Sequence, residues 1–241
     1  MDWLSRMWDT ATSVQPVPEP ALVWGSGVLV LGALAVPTIW RVVRHLVTIV
    51  HEAGHATVAV VAGRRLGGIK VHTDTSGLTT SWGPARGPGV VFTLLAGYPA
   101  PGVVGLGAAW LLSRGYAVGT LWAVLVLLAL VLAQIRNLYG LWAVLASAGV
   151  LVAVTGWAPT NLQVGVAYLV TWLLLLGAPR AVLELTVTRN RRRGKDQSDA
   201  GQLARLTGVP AGLWVFLFAV LTLAAGVFGA WFFVPPAAPS P

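Results

Sequence analysis

The chain has 241 residues, 56% of them hydrophobic, a mean hydropathy of +0.75 and only 10% charged side chains. Soluble globular domains carry about 25% charged residues, so this composition excludes that class and identifies an integral membrane protein. The formal net charge is +8, yet the basic residues lie beside apolar segments instead of forming one continuous patch, which argues against a nucleic-acid partner and for topology determinants facing the anionic lipid of a bilayer.

The absence of cysteine excludes disulfides, cysteine-ligated zinc and thiol nucleophiles in one step. Residues 1–20 begin with an amphipathic, acid-containing stretch without an evident cleavable signal and continue as a proline-rich spacer, so they are expected to form a flexible N-terminal segment. Apolar segments follow at about 21–40, 46–62, 90–112, 116–133, 138–156, 163–185 and 211–234, each long enough to span or nearly span a hydrocarbon layer of about 30 Å. The expected fold is an all-α membrane protein, a polytopic bundle of about six or seven transmembrane helices forming a single domain over 21–234. Residues 235–241 read as a short disordered tail.

Two regions interrupt this pattern. Between the second and third apolar segments, Leu66 to His72 and Leu78 to Trp82 are β-prone runs flanking a turn rich in Asp, Ser and Gly, which predicts a small hairpin. Later, Arg189-Asn190-Arg191-Arg192-Arg193-Gly194-Lys195 is a short basic loop that the positive-inside rule places in the cytoplasm. Arg41 and Arg44 invite the same placement, but five crossings would separate the two clusters if every intervening segment spanned. One segment is therefore expected to be re-entrant or partial, and the polar 46–62 stretch fits best.

That stretch contains His51-Glu52-Ala53-Gly54-His55. On a helix, positions i and i+4 share a face, so both imidazoles reach one tetrahedral cation while Glu52 is placed to take a proton from water. Ionisable side chains within such apolar flanks are functional by default, which favours a zinc site over an exposed polar turn. A catalytic zinc usually has three protein ligands. His45 lies about 240° around the helix from His51 and points elsewhere. His72 and Asp74 sit in the predicted hairpin, from which they are alternatives for the site although a solvated turn suits them better, and Glu184 has an ion-pair partner four residues back in Arg180. Asp199 remains. It competes with a capping-box role, since Gln202 follows it by three residues. Asn137, near a predicted helix start, is either an N-cap or a group that hydrogen-bonds a substrate carbonyl or oxyanion. Gly97 and Gly102 are expected to allow close helix packing, and the tryptophans to act chiefly as interface anchors.

The order of these parts resembles a known family. His51 to His55, the following hairpin, Ala96-Gly97-Tyr98-Pro99, Arg136-Asn137-Leu138-Tyr139-Gly140 and a late Ser198-Asp199-Ala200 before the last helix look like the M50B-like branch of the site-2 proteases, over roughly residues 40 to 232. The resemblance implies a membrane-embedded zinc metallopeptidase, expected in a bacterial plasma membrane, that cuts transmembrane or membrane-proximal segments of other membrane proteins. The late aspartate motifs of better-known members, Asn-Pro-Asp-Gly or Leu-Asp-Gly, are absent, and Ser198-Asp199-Ala200 occupies the comparable position. No PDZ-like insertion is present.

The resulting expectation is zinc held by His51, His55 and Asp199, with Glu52 as general base for peptide-bond hydrolysis. Two other classes compete. A zinc-binding scaffold without proteolysis would not need the carboxylate of Glu52. A metal or proton transporter should distribute ionisable residues through its spans, whereas here they concentrate at one place.

Overall fold

The computed structural model describes residues 3–191 and 196–234. The short helix α1, Trp3–Thr12, forms inside the segment expected to be flexible. It is followed by α2 (Pro20–Ala35), α3 (Pro37–Val61), strands β1 (Arg65–Val71) and β2 (Gly77–Trp82), and helices α4 (Pro88–Ala96), α5 (Pro99–Ser113), α6 (Ala117–Gln134), α7 (Leu138–Trp157), α8 (Thr160–Arg191), α9 (Asp199–Thr207) and α10 (Ala211–Trp231). The expected tail at 235–241 and most of the basic loop, 192–195, lie outside the described residues.

Four helices, α6, α7, α8 and α10, are long and apolar enough to cross a membrane. Two bent pairs raise the number to as many as six: α2 with α3, bent by 111°, and α4 with α5, bent by 62°. Proline explains both bends. Pro37 and Pro99 stand at helix starts, where a missing N–H costs nothing, but neither can donate back into the preceding helix. At the first bend the residue before proline is also pushed out of the helical region, whereas Tyr98 before Pro99 stays helical at φ −61° and ψ −40°. Val36 accordingly takes an extended conformation, φ −91° and ψ 112°, and α3 leaves α2 at a steep angle. The break falls at Val36, so Arg41 and Arg44 lie within α3 and not in a loop.

The predicted hairpin is present. Strands β1 and β2 pair antiparallel from Arg65 opposite Trp82 to Val71 opposite Gly77, with an irregularity between Leu66 and Gly68. The other edge of β1 meets the α6–α7 junction, where Ile69 bridges Ile135 in parallel and the Arg136 N–H donates to the Ile69 carbonyl at 2.9 Å. Central to the bundle is α8, which packs against α2, α3, α5, α6, α7 and α10. Ile49, Val50, Ile69, Val71, Leu174 and Leu175 belong to one buried apolar cluster that joins α3, the hairpin and α8. A second cluster of Val182, Leu185, Ala200, Leu203 and Phe218 seats the short α9 on α8 and α10. α7 and α10 leave most of their apolar surface exposed, as lipid-facing helices do.

Candidate metal centre

The helix α3 sets His51 and His55 one turn apart, and their Nε2 atoms stand 3.1 Å from each other. Asp199, at the first position of α9, brings its Oδ2 to 3.3 Å from His51 Nε2 and 3.2 Å from His55 Nε2. Of the described residues, these three form the one His/Cys/Asp/Glu group whose ligand atoms all converge within 4.8 Å. Bonds of about 2.0–2.1 Å at tetrahedral angles put zinc ligands roughly 3.3 Å apart, so the donor set fits that ion in spacing and in type.

The imidazole of His55 is oriented from behind. Its Nδ1 lies 2.7 Å from the Thr93 carbonyl on α4; because that oxygen only accepts, Nδ1 carries the proton and Nε2 keeps its lone pair toward the cluster. Gly97, between α4 and α5, faces both rings. A Cβ there would collide with His55 and come within 2.7 Å of His51 Cε1. Close approach to the imidazoles, not helix packing, accounts for this glycine. Gly102 does pack helices as expected, since its Cβ position lies 3.1 Å from Ala225 Cβ. The Tyr98 ring stands edge-on to His51, with centroids 4.7 Å apart, and stacks on Phe218.

Glu52 is 3% exposed and turns toward the hairpin. Its Oε2 accepts a 2.6 Å hydrogen bond from Thr79 Oγ1, which also reaches the Glu52 carbonyl at 3.1 Å. Oε1 lies 4.0 Å from His51 Nε2. Gly77 makes room for the carboxylate: a Cβ there would come within 2.6 Å of Glu52 Cδ. The tip of the hairpin is tied to the same helix, because Thr48 Oγ1 donates to the Thr75 carbonyl at 3.0 Å.

These groups line a half-open cavity of about 1020 Å³ that extends along β2 on one side and toward Arg44, Arg180 and Glu184 on the other. Glu184 joins three partners, Arg44 at 3.1 Å, Arg180 at 3.6 Å and the buried Trp40 indole at 2.6 Å. Its expected pairing with Arg180 thus belongs to a larger network that ties α3 to α8, and Trp40 is a buried hydrogen-bond donor instead of an interface anchor.

The remaining sequence candidates lie elsewhere. His45 bonds Tyr139 at 2.8 Å. Asp74 accepts from the Ser76 hydroxyl at 2.6 Å and from its amide at 3.0 Å, and these bonds hold its carboxyl below the usual carboxylate range. Asn137 occupies the N-cap position of α7 but makes no side-chain cap bond. Its amide instead pairs with the backbone of Val71, accepting from the N–H at 3.2 Å and donating to the carbonyl at 2.7 Å. α9 is capped by Ser198, whose Oγ accepts from the Gly201 N–H at 3.2 Å. The capping pattern was therefore real but belongs one residue earlier, which leaves the Asp199 carboxylate free to face the histidines. Thr79, Thr93 and Gly77 carried no local signal for these roles, because the roles depend on a contact between the hairpin and α3.

A family model described as Peptidase M50B-like matches residues 24–229 of the chain. No curated protein and no solved structure matches it.

Proposed function

The chain belongs to the Peptidase M50B-like family, and from that premise we propose that this multi-pass membrane protein is a zinc-dependent endopeptidase that hydrolyses peptide bonds in or beside transmembrane segments of other membrane proteins. The observation that carries the reading is the convergence of His51, His55 and Asp199 with an intact carboxylate, Glu52, at their side.

A zinc ion held by the three donors supplies Lewis acidity toward water and toward a substrate carbonyl. The rest is work for the protein's own groups. Glu52 accepts the proton of the attacking water and returns it to the leaving amine. Thr79 holds Oε2 of that carboxylate, so Oε1 is the oxygen directed toward His51 and the reacting water. Thr93 and Gly97 keep the imidazoles in register. A helical substrate shields its carbonyls by internal hydrogen bonds, so the scissile segment must be extended. β2 supports this requirement: it pairs with β1 along one edge only and borders the cavity with Gly77 to Trp82, so its other edge offers backbone groups to an extended segment.

The test is the purified protein in mild detergent, with zinc counted by elemental analysis and a panel of membrane-protein substrates assayed for cleavage. The expected result is about one zinc per chain and turnover that Glu52→Gln abolishes while zinc stays. Cleavage unaffected by Glu52→Gln, or wild-type protein that takes up no zinc, would overturn the proposal.

A further inference from the structure

The third donor, Asp199, stands on a helix of nine residues joined to α8 by the basic loop. So short a helix does not fix its own position, and the side chains that hold its first turn decide where the carboxylate points. They form a chain of contacts centred on Asp196. Asp196 Oδ1 accepts from the Ser198 amide at 3.0 Å and from its hydroxyl at 2.6 Å. Ser198 Oγ in turn accepts the N–H of Gly201, closing the first turn of α9. The other carboxylate oxygen, Oδ2, lies 2.7 Å from Arg189 Nε at the end of α8. Arg189 also donates through Nη1 to the Ala211 carbonyl at the start of α10, at 3.1 Å, and Arg205 donates to the Asp196 carbonyl. Gly201 belongs to the same arrangement, for a Cβ there would come within 2.7 Å of Asp196 Oδ2.

One carboxylate therefore connects the ends of three helices, α8, α9 and α10, to the residue that caps the helix bearing Asp199. We propose that Asp196, acting through Ser198 and anchored by Arg189, is a positioning residue that sets the Asp199 carboxylate against His51 and His55 and thereby sets metal affinity and coordination geometry. The contacts of Asp196 run to Ser198, Arg189 and Arg205, so its influence on the histidines runs through the cap. The inference rests on the reading of Asp199 as a metal ligand, and its test separates the two.

The experiment compares wild type, Asp199→Asn, Asp196→Ala and the double variant as full-length protein in detergent. Zinc affinity is measured by competition with a chromogenic chelator, the visible absorption of the cobalt-substituted protein reports coordination geometry, and the thermal midpoint of the metal-free protein reports the fold. Loss of an outer partner of a ligand costs about 10- to 100-fold in affinity. Asp196→Ala is expected to lose that much and to alter the cobalt spectrum, while in the Asp199→Asn background it causes no further loss. A general packing defect would instead lower affinity equally in both backgrounds, and that result overturns the proposal. So does wild-type affinity with an unchanged spectrum in Asp196→Ala. Should Asp199→Asn itself bind zinc like wild type, the ligand reading fails first. If Asp196→Ala does not purify folded, Arg189→Gln, which leaves the cap intact and removes its anchor, is read by the same criteria and is expected to lose affinity by about tenfold.

Discussion

At the residue scale, the candidate centre divides into groups proposed to hold a metal and groups that hold Glu52, the proposed base, and substitutions should separate them. His51→Ala or His55→Ala removes a donor from a set of three, so bound zinc should disappear from the elemental analysis. Glu52→Gln keeps the shape of the side chain and should retain zinc while turnover falls at least about a hundredfold. Thr79→Val is the finer test. It preserves the β-branch and deletes the hydrogen bond to Glu52 Oε2; a bond to a charged group contributes about 1.5–3 kcal/mol, so kcat should fall roughly ten- to a hundredfold with KM and zinc content unchanged. Equal kcat in Thr79→Val would show that Glu52 needs no such partner. The histidines and Glu52 were legible in the sequence because they occupy one contiguous helical motif. Asp199 was legible only as an alternative to a cap, because the cap that settled its local role, Ser198, differs from it by one position. Thr79 was not legible at all, since a threonine in a β-prone run is indistinguishable from its neighbours until the hairpin is seated on α3.

At the element scale, the tip end of the hairpin is held by Asn137 on the outer edge of β1 and by the bonds of Asp74 within the turn, and each has a measurable consequence. Asn137 is the outer attachment, with both amide groups engaged on Val71. The sequence suggested a cap or a substrate contact for this residue; the side chain makes no cap bond and lies outside the cavity lining. Asn137→Ala leaves a half-buried strand edge unsatisfied, at a cost of about 1–3 kcal/mol, so the thermal midpoint should drop while zinc content holds. Faster hydrogen exchange at Val71 would locate the loss. The tip depends on Asp74, whose carboxyl is held low by its hydrogen bonds from the Ser76 hydroxyl and amide. A depressed carboxylate stabilises the folded turn above its unfolded pKa, and the contribution is lost as pH falls through the folded value. Protection of the Ser76 amide should therefore be constant from neutral pH down to the ordinary carboxylate range and decline below it, and Asp74→Asn should show no such decline. The hairpin itself was readable from alternation and turn residues. Its attachments were not, because an asparagine that mimics a neighbouring strand has the same sequence surroundings as one that caps a helix.

At the scale of the whole molecule, the contacts resolve the conflict between the two basic clusters. Arg44 and Glu184 meet at 3.1 Å, five residues before Arg189, so α3 and the end of α8 share one end of the bundle. The hairpin and the α6–α7 junction meet through Ile69 and Arg136, and both therefore lie at that end as well. At the opposite end, the Gln15 amide donates to the Gly115 carbonyl at 2.8 Å and the Gln15 side chain accepts from Val118 at 3.1 Å, joining the segment before α2 to the α5–α6 turn. These placements agree only if α2, the α4–α5 pair, α6, α7, α8 and α10 cross and α3 does not. Six crossings are then expected, with α3, the helix of His51 and His55, as the partial segment, and four of them would separate the hairpin from Arg189, which places both basic clusters on one face. Arg41, Arg44, Arg64, Arg65, Lys70, Arg86, Arg136 and Arg189 then lie on the hairpin side, against Arg114 on the other. The positive-inside rule then predicts that the hairpin side faces the cytoplasm. A chain without cysteine makes the test direct. Single substitutions Thr73→Cys, Gln197→Cys, Ser113→Cys and Asn161→Cys all fall on exposed positions near helix ends or in the turn. A membrane-impermeant maleimide added to intact cells should label the last two and spare the first two, and inside-out vesicles should reverse the pattern. Labelling of Thr73→Cys and Gln197→Cys from opposite sides would mean that an odd number of crossings separates them, so that one of the α4–α5 pair, α6, α7 and α8 does not complete its span.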